Sequence, residues 1–112
     1  MDILEILIEE RKLREKVFND YISYARKIKE IVSKEIKDFK LYVFGSVVRG
    51  DFHVMLSDID IAIVTNDEVE DSRLKVKIEK ELGLIGIFQI HIISKKIWNN
   101  WYLKLIDKYI EI

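Results

Sequence analysis

The run SDIDIAIVT, residues 57–65, alternates without a break. In an extended chain Ile59, Ile61 and Ile63 fall on one face, and Asp58, Asp60, Ala62 and Val64 fall on the other. Three isoleucines commit their face to a core, so the two carboxylates cannot turn away from each other. They stand on one side of a strand, roughly 7 Å apart. Like charges so placed repel unless water screens them or a cation lies between them. Mg²⁺, a hard ion, takes one or two carboxylates and fills its other positions with water and substrate phosphates. Strands also carry acids on a plain solvated face, so the pair alone leaves both readings open.

A second feature stands upstream. FKLYVFG, residues 39–45, reads as a strand closed by Gly45, and Ser46 then opens a short helix SVVRGDF. Glycine permits backbone conformations closed to other residues and lets a phosphate approach the main chain. At a helix start, free N–H groups and the Ser46 hydroxyl hold an anion, or the hydroxyl serves as a plain N-cap. Arg49 lies on the same side of the turn, to meet a phosphate or to pair with Asp51 or Asp58. Gly45, Ser46 and Arg49 thus form a candidate nucleotide seat beside a candidate metal seat at Asp58 and Asp60.

The remaining chain reads as helices around a small sheet. From Ile3 to Ile36 the apolar spacing is helical, as one long helix or as two broken near Asn19-Asp20. Glu10 and Arg14 fall at i,i+4 on its wet side, and Arg11, Lys12, Arg14 and Lys16 alternate with acids as a solvated face. DEVEDSRLKVKIEKEL, residues 67–82, is a surface helix stopped by Gly83. IFQIHIIS, residues 87–94, alternates again and sets Gln89 and His91 on one face. KIWNNWYLKLIDKYI repeats Trp98, Trp101/Tyr102, Leu105 and Tyr109 at helical steps, and these aromatics read as packing residues or base-stacking ones. Lys95 and Lys96 oppose the dipole of that helix. The expected fold is α/β (α+β): a small mixed sheet flanked by helices, with a long N-terminal helix. With 112 residues the expectation is one domain, an N-terminal helical segment at 1–37 and a core at 38–112.

GSVVRGDFHVMLSDIDIAIV resembles the signature of the DNA polymerase β-like nucleotidyltransferases: Gly-Ser, a spacer, then Asp-x-Asp in a hydrophobic strand. The size is similar to that of the minimal nucleotidyltransferases of archaea and bacteria. The resemblance implies that Gly45 and Ser46 hold the phosphates of ATP or another nucleoside triphosphate. It implies two Mg²⁺ ions on Asp58 and Asp60 when nucleotide is bound. The implied reaction is transfer of a nucleotide monophosphate, AMP from ATP, to a hydroxyl of a protein or small molecule. The family's third carboxylate belongs on the strand after the intervening helix, and here that strand offers Gln89 and His91 instead. Spacing favours Gln89, whose amide brings no charge and takes no proton. The alternative is therefore a catalytically impaired nucleotide- or partner-binding module.

Composition narrows the partners. Nineteen basic and twenty acidic side chains leave a net charge of −1, so no broad attraction to nucleic acid or to a membrane surface is expected. The absence of cysteine excludes disulfides and thiolate chemistry and fits a cytoplasmic protein. A chain of this length lacks room for its own acceptor-binding domain, and minimal members of the family act with a helical HEPN-type protein as antitoxin to its toxin. The N-terminal helix offers a surface for such a partner or for a homodimer.

Overall fold

A computed structural model describes the whole chain, Met1–Ile112. Helix α1 (Ile3–Asn19) opens on Asp2, whose carboxylate accepts the Glu5 N–H at 2.8 Å. It ends at Asp20, where φ −132° and ψ 35° leave the helical region, and α2 (Tyr21–Ser33) begins at once. The N-terminal segment is therefore two helices. The break falls at Asp20, a residue whose short polar side chain favours helix ends over interiors.

The sheet has four strands in the order β3-β2-β1-β4: β1 (Lys40–Phe44), β2 (Ile59–Val64), β3 (Phe88–Ile93) and β4 (Tyr109–Glu111). Strand β1 runs antiparallel to β2 and to β4, and β2 runs parallel to β3. A parallel neighbour needs a crossover, which α4 (Asp71–Leu82) supplies. The short helix α3 (Ser46–Arg49) lies in the connection from β1 to β2. After β3 come α5 (Lys95–Ile97), a π-helical turn (Trp98–Tyr102) and α6 (Leu103–Leu105). The mixed sheet flanked by helices agrees with the architecture expected from the sequence.

Both faces of the central strands are covered. On one, Leu41, Val43, Ile59, Ile61 and Ile63 pack with Val17, Phe18, Ala25, Ile28, Val32, Leu74 and Ile78 of α1, α2 and α4. On the other, Tyr42, Phe44, Ala62, Val64 and Ile93 pack with Trp98. No helix is long and apolar enough to cross a membrane.

Three expectations about the elements need correction. The last helix does not run on to Tyr109: it ends at Leu105, and Tyr109–Glu111 is an edge strand on β1. Within it the Leu103 N–H reaches back to the Trp98 carbonyl, the i→i+5 bond of a π turn. The wider turn buries Trp98 and half-buries Tyr102 while Trp101 stays 61% exposed, so the packing reading holds for two of the three aromatics. Helix α4 starts at Asp71 rather than Asp67, because Asp67 is drawn into the preceding turn. Its N–H donates to Thr65 Oγ1 at 3.1 Å, and that hydroxyl donates to the Asp38 carbonyl at 2.6 Å. Arg14 does not lie on a solvated face and does not pair with Glu10. It is 5% exposed, and its guanidinium turns into the body of the protein.

Lys95 finds a reason in the fold. Its ammonium meets Asp38 Oδ2 at 2.9 Å, while Ser94 caps the helix by accepting the Ile97 N–H at 3.2 Å. The ion pair ties the start of the last helix to the entry of β1 and offsets the unfavourable dipole.

Candidate functional site

The exit of β1 determines the backbone of the site. Gly45 adopts φ +86° and ψ −160°, a region essentially closed to other residues. It takes the cap position of α3, and its carbonyl accepts the N–H groups of Val48 at 3.1 Å and Arg49 at 3.2 Å. Ser46 is thus the first helical residue and not the N-cap. The opening N–H groups of such a turn have no acceptor within the helix. Arg49 pairs with Asp51, Nε lying 3.2 Å from Oδ1, so of the two carboxylates open to it the structure selects Asp51 and not Asp58.

Register brings Asp60 to this turn. In the antiparallel pairing of β1 with β2, Phe44 lies opposite Asp60. The carboxylate then reaches over the next residue: a Cβ built on Gly45 would stand 2.3 Å from Asp60 Oδ2. Glycine is needed here for two reasons, its dihedral angles and the room its missing side chain leaves for Asp60. Asp58 is exposed just ahead of β2, outside the paired strand.

On the other flank the parallel register sets Gln89 beside Asp60 and His91 beside Ala62. The contact, however, is made by His91. Its Nε2 lies 3.1 Å from Asp60 Oδ1, both side chains being about a quarter exposed. Two rings hold it there: Phe44, with centroids 5.3 Å apart, and Tyr102, edge-on at 6.2 Å. Gln89 is exposed and faces a groove of about 420 Å³ along the β3 edge, which Asp71, Lys75, His91 and Tyr102 also line. Asp58, Asp60 and the Gly45-Ser46 turn do not line that groove. His91 is the point where the groove and the Asp60 carboxylate meet.

A buried cation that the charge pattern concealed holds the approach to β2. Arg14 donates from Nε to the Val54 carbonyl at 2.5 Å, from Nη1 to the Gly86 carbonyl at 3.2 Å, and from Nη2 to the Ser57 carbonyl. Its guanidinium also lies 5.6 Å from the Phe18 ring centre, and Phe18 stacks on Phe52. One side chain therefore ties the loop that delivers Asp58 to the loop that delivers β3. His53 closes the same loop: its carbonyl accepts the Ser57 N–H at 2.7 Å, and its own N–H donates to Ser57 Oγ at 2.8 Å.

The donors suit a divalent cation that arrives with its substrate. No three His, Asp or Glu side chains converge as a ready-made metal cage. Asp60 offers carboxylate oxygens at the Gly45 turn and Asp58 lies exposed two residues before it; an ion such as Mg²⁺ needs only one or two carboxylates when phosphates and water complete its shell. The Asp60 oxygen packed against Gly45 occupies the space that a side chain there would fill, so the turn is built around that carboxylate.

Comparison with known proteins identifies the family. The family described as nucleotidyltransferase domain matches residues 25–109. A crystal structure assigned as a nucleotidyltransferase is 38% identical, covering 78% of this chain and 95% of its own, with a TM-score of 0.57. A second, from Sulfolobus solfataricus, is 18% identical over 88% of this chain and 84% of its own, with a TM-score of 0.58, and shares the fold. No curated protein matches the chain. The match over most of the sequence, with the strand order and the Gly45–Asp60 approach, places the chain in the nucleotidyltransferase domain family, as a minimal nucleotidyltransferase of the DNA polymerase β-like superfamily.

Proposed function

We propose that this protein moves a nucleotide monophosphate, AMP from ATP, onto a hydroxyl of a protein or small-molecule acceptor, with Mg²⁺ as cofactor. The acceptor oxygen bonds to the α-phosphorus, the bond from that phosphorus to the β-phosphate bridge breaks, and pyrophosphate and the hydroxyl proton leave. The observation that carries the reading is the closure of the Asp60 carboxylate onto the Gly45-Ser46 turn. Gly45 shapes the turn and leaves room for Asp60 beside it, and the Ser46 hydroxyl and the opening N–H groups of α3 bind the triphosphate oxygens. Arg49, exposed beside Asp51, adds a cation to that seat. Asp58 and Asp60 hold Mg²⁺, which when bound neutralises triphosphate charge and favours loss of the hydroxyl proton. Positioning and charge neutralisation carry the catalysis, as in other phosphoryl-type transfers. A helical HEPN-type protein, with this chain as its antitoxin, is the acceptor class that the family supplies.

The test is transfer of label from α-labelled ATP to a candidate acceptor in the presence of Mg²⁺. Label appears on the acceptor with the wild type and is absent with Asp60→Ala. Nucleotide binding without transfer to any acceptor would count against the enzyme.

One observation favours a second reading, an impaired module that binds nucleotide or partner. Strand β3 offers Gln89 and His91 where the family has an acid. Since His91 rather than Gln89 touches Asp60, the two readings separate on His91→Asp. If the module is impaired, transfer appears in His91→Asp and not in Gln89→Glu. If the wild type is active, both substitutions leave its acceptor labelling at or below the original level.

A further inference from the structure

Strand β3 sets a nitrogen donor beside the carboxylate of β2. The two oxygens of Asp60 have separate surroundings: Oδ2 stands against the Gly45 turn, and Oδ1 faces His91 Nε2 at 3.1 Å. No lysine or arginine pairs with this carboxylate, since Arg49 is drawn to Asp51. Three elements fix the imidazole there. His91 stands in β3, Phe44 at the end of β1 lies 5.3 Å away between ring centres, and Tyr102 of the π turn is edge-on at 6.2 Å. Both His91 and Asp60 keep about a quarter of their side chains exposed, and the β3 groove reaches His91, so a hydrated ion has a way in.

The separation has the size of a coordination edge. Two ligands at about 2.1 Å from one octahedral ion stand about 3 Å apart when they occupy adjacent corners. Asp60 Oδ1 and His91 Nε2 therefore need little movement to share a cation, with phosphate oxygens and water at its other corners. The donor type then decides the ion. Mg²⁺ is hard and favours oxygen, whereas an imidazole nitrogen suits Fe²⁺, Co²⁺, Ni²⁺ or Zn²⁺. We infer that His91 is a metal ligand, forming with Asp60 a mixed nitrogen–oxygen site that favours a first-row transition dication over Mg²⁺. This rests on the proposed divalent-ion site at Asp60 and concerns which ion that site holds best. Mg²⁺ supports the transfer through carboxylate and phosphate oxygens, and the nitrogen adds affinity for the softer ions alone.

A hydrogen bond would span the same 3.1 Å, so the experiment must read the nitrogen itself. Mn²⁺ with inorganic triphosphate, which contains no nitrogen, is the paramagnetic probe of the full chain. With the histidine rings labelled with ¹⁵N, electron–nuclear double resonance of the bound Mn²⁺ shows one directly coupled nitrogen. The coupling disappears in His91→Asp and survives in His53→Gln, which removes the other histidine of the chain. Co²⁺ and Mg²⁺ are then titrated in turn to release the Mn²⁺. The ratio of Mg²⁺ to Co²⁺ needed is about tenfold or more larger for the wild type than for His91→Asp, which exchanges nitrogen for oxygen. Bound Mn²⁺ without a coupled nitrogen, or equal ratios in the two proteins, overturns the inference and leaves Asp60 as an Mg²⁺ ligand. Mn²⁺–triphosphate that does not bind the wild type overturns both. A coupled nitrogen in a protein that transfers no label from ATP upholds the ligand and counts against the transferase.

Discussion

A methyl group at Gly45 meets two obstacles. The backbone there sits at φ +86°, and the new Cβ stands 2.3 Å from Asp60 Oδ2. Gly50 offers the natural comparison: its φ is +88°, but nothing lies within 4 Å of a Cβ. Gly50→Ala therefore carries backbone strain alone, about 1–3 kcal/mol. Gly45→Ala carries that strain and also displaces the Asp60 carboxylate. Urea denaturation is expected to show similar or larger destabilisation for Gly45→Ala, with nucleotide-dependent labelling lost only in that variant. Equal labelling in the two variants would contradict the role given to Asp60. The special backbone of Gly45 was legible from a glycine at a strand exit. Its approach to Asp60 was not, because that depends on the register that pairs Phe44 with Asp60. The same limit explains Gln89 and His91. Alternation sets both on one face, but the packing of the imidazole between Phe44 and Tyr102 decides which one meets the carboxylate.

At the level of elements, α1 and the two loops beneath it act as a unit through Arg14. Arg14→Met keeps much of the apolar stem over Phe18 but leaves the carbonyls of Val54, Ser57 and Gly86 without their donor. The expected loss is about 2–4 kcal/mol by chemical denaturation. Arg14→Lys recovers little of it, since a single ammonium cannot reproduce a planar fork aimed at separate loops. A full rescue by lysine would show that charge and not geometry holds the loops. Arg14 was illegible because a solvated arginine and an inward one leave the same periodic charge pattern, and its acceptors are main-chain atoms far along the sequence. A second tie joins the residues after α2 to α4. Glu35 and Lys77 form an exposed ion pair that holds the carboxyl below its ordinary value of 4.5 and the ammonium above its ordinary 10.5, in each case chiefly through their mutual hydrogen bond. The depressed carboxyl stabilises the fold above 4.5 and loses that contribution as pH falls through its lowered value. The raised ammonium stabilises below 10.5 and loses its share as pH rises past its elevated value. Glu35→Gln should lower Tm slightly at neutral pH and make its decline below pH 4.5 shallower than that of the wild type. Parallel Tm curves at all acid pH values would exclude the pair as a contributor.

For the molecule as a whole, the sheet separates two cores of unequal depth. The helical face gathers eighteen buried residues, and the opposite face gathers six. The sheet and its helices were readable from alternation and helical periodicity. The smaller core was not, because it needs a π turn and a three-residue edge strand, neither of which leaves a period long enough to recognise. Trp98 is its centre, 3% exposed, stacked on Tyr42 at 4.6 Å and on Tyr102 at 5.9 Å. Tyr42 registers the enclosure: burial first, and Glu111 of β4 second, push its phenol above the ordinary 10.0. Since β4 is short and the cluster small, residues 95–112 are expected to open at lower free energy than the helical core. Trp98→Ala removes the main support of that region, a loss of about 3–5 kcal/mol if the whole protein must unfold with it. If instead the region opens by itself, amide exchange in Lys95–Leu105 and Tyr109–Glu111 accelerates strongly while α2 and β2 keep most of their protection. Tyr102 then no longer fixes the His91 ring, so the variant also loses the defined contact between His91 and Asp60. That loss is read as averaging of the His91 ring resonances by NMR. Uniform acceleration across both faces, with the His91 signals unchanged, would show a single cooperative unit in which the outer core does not position the site.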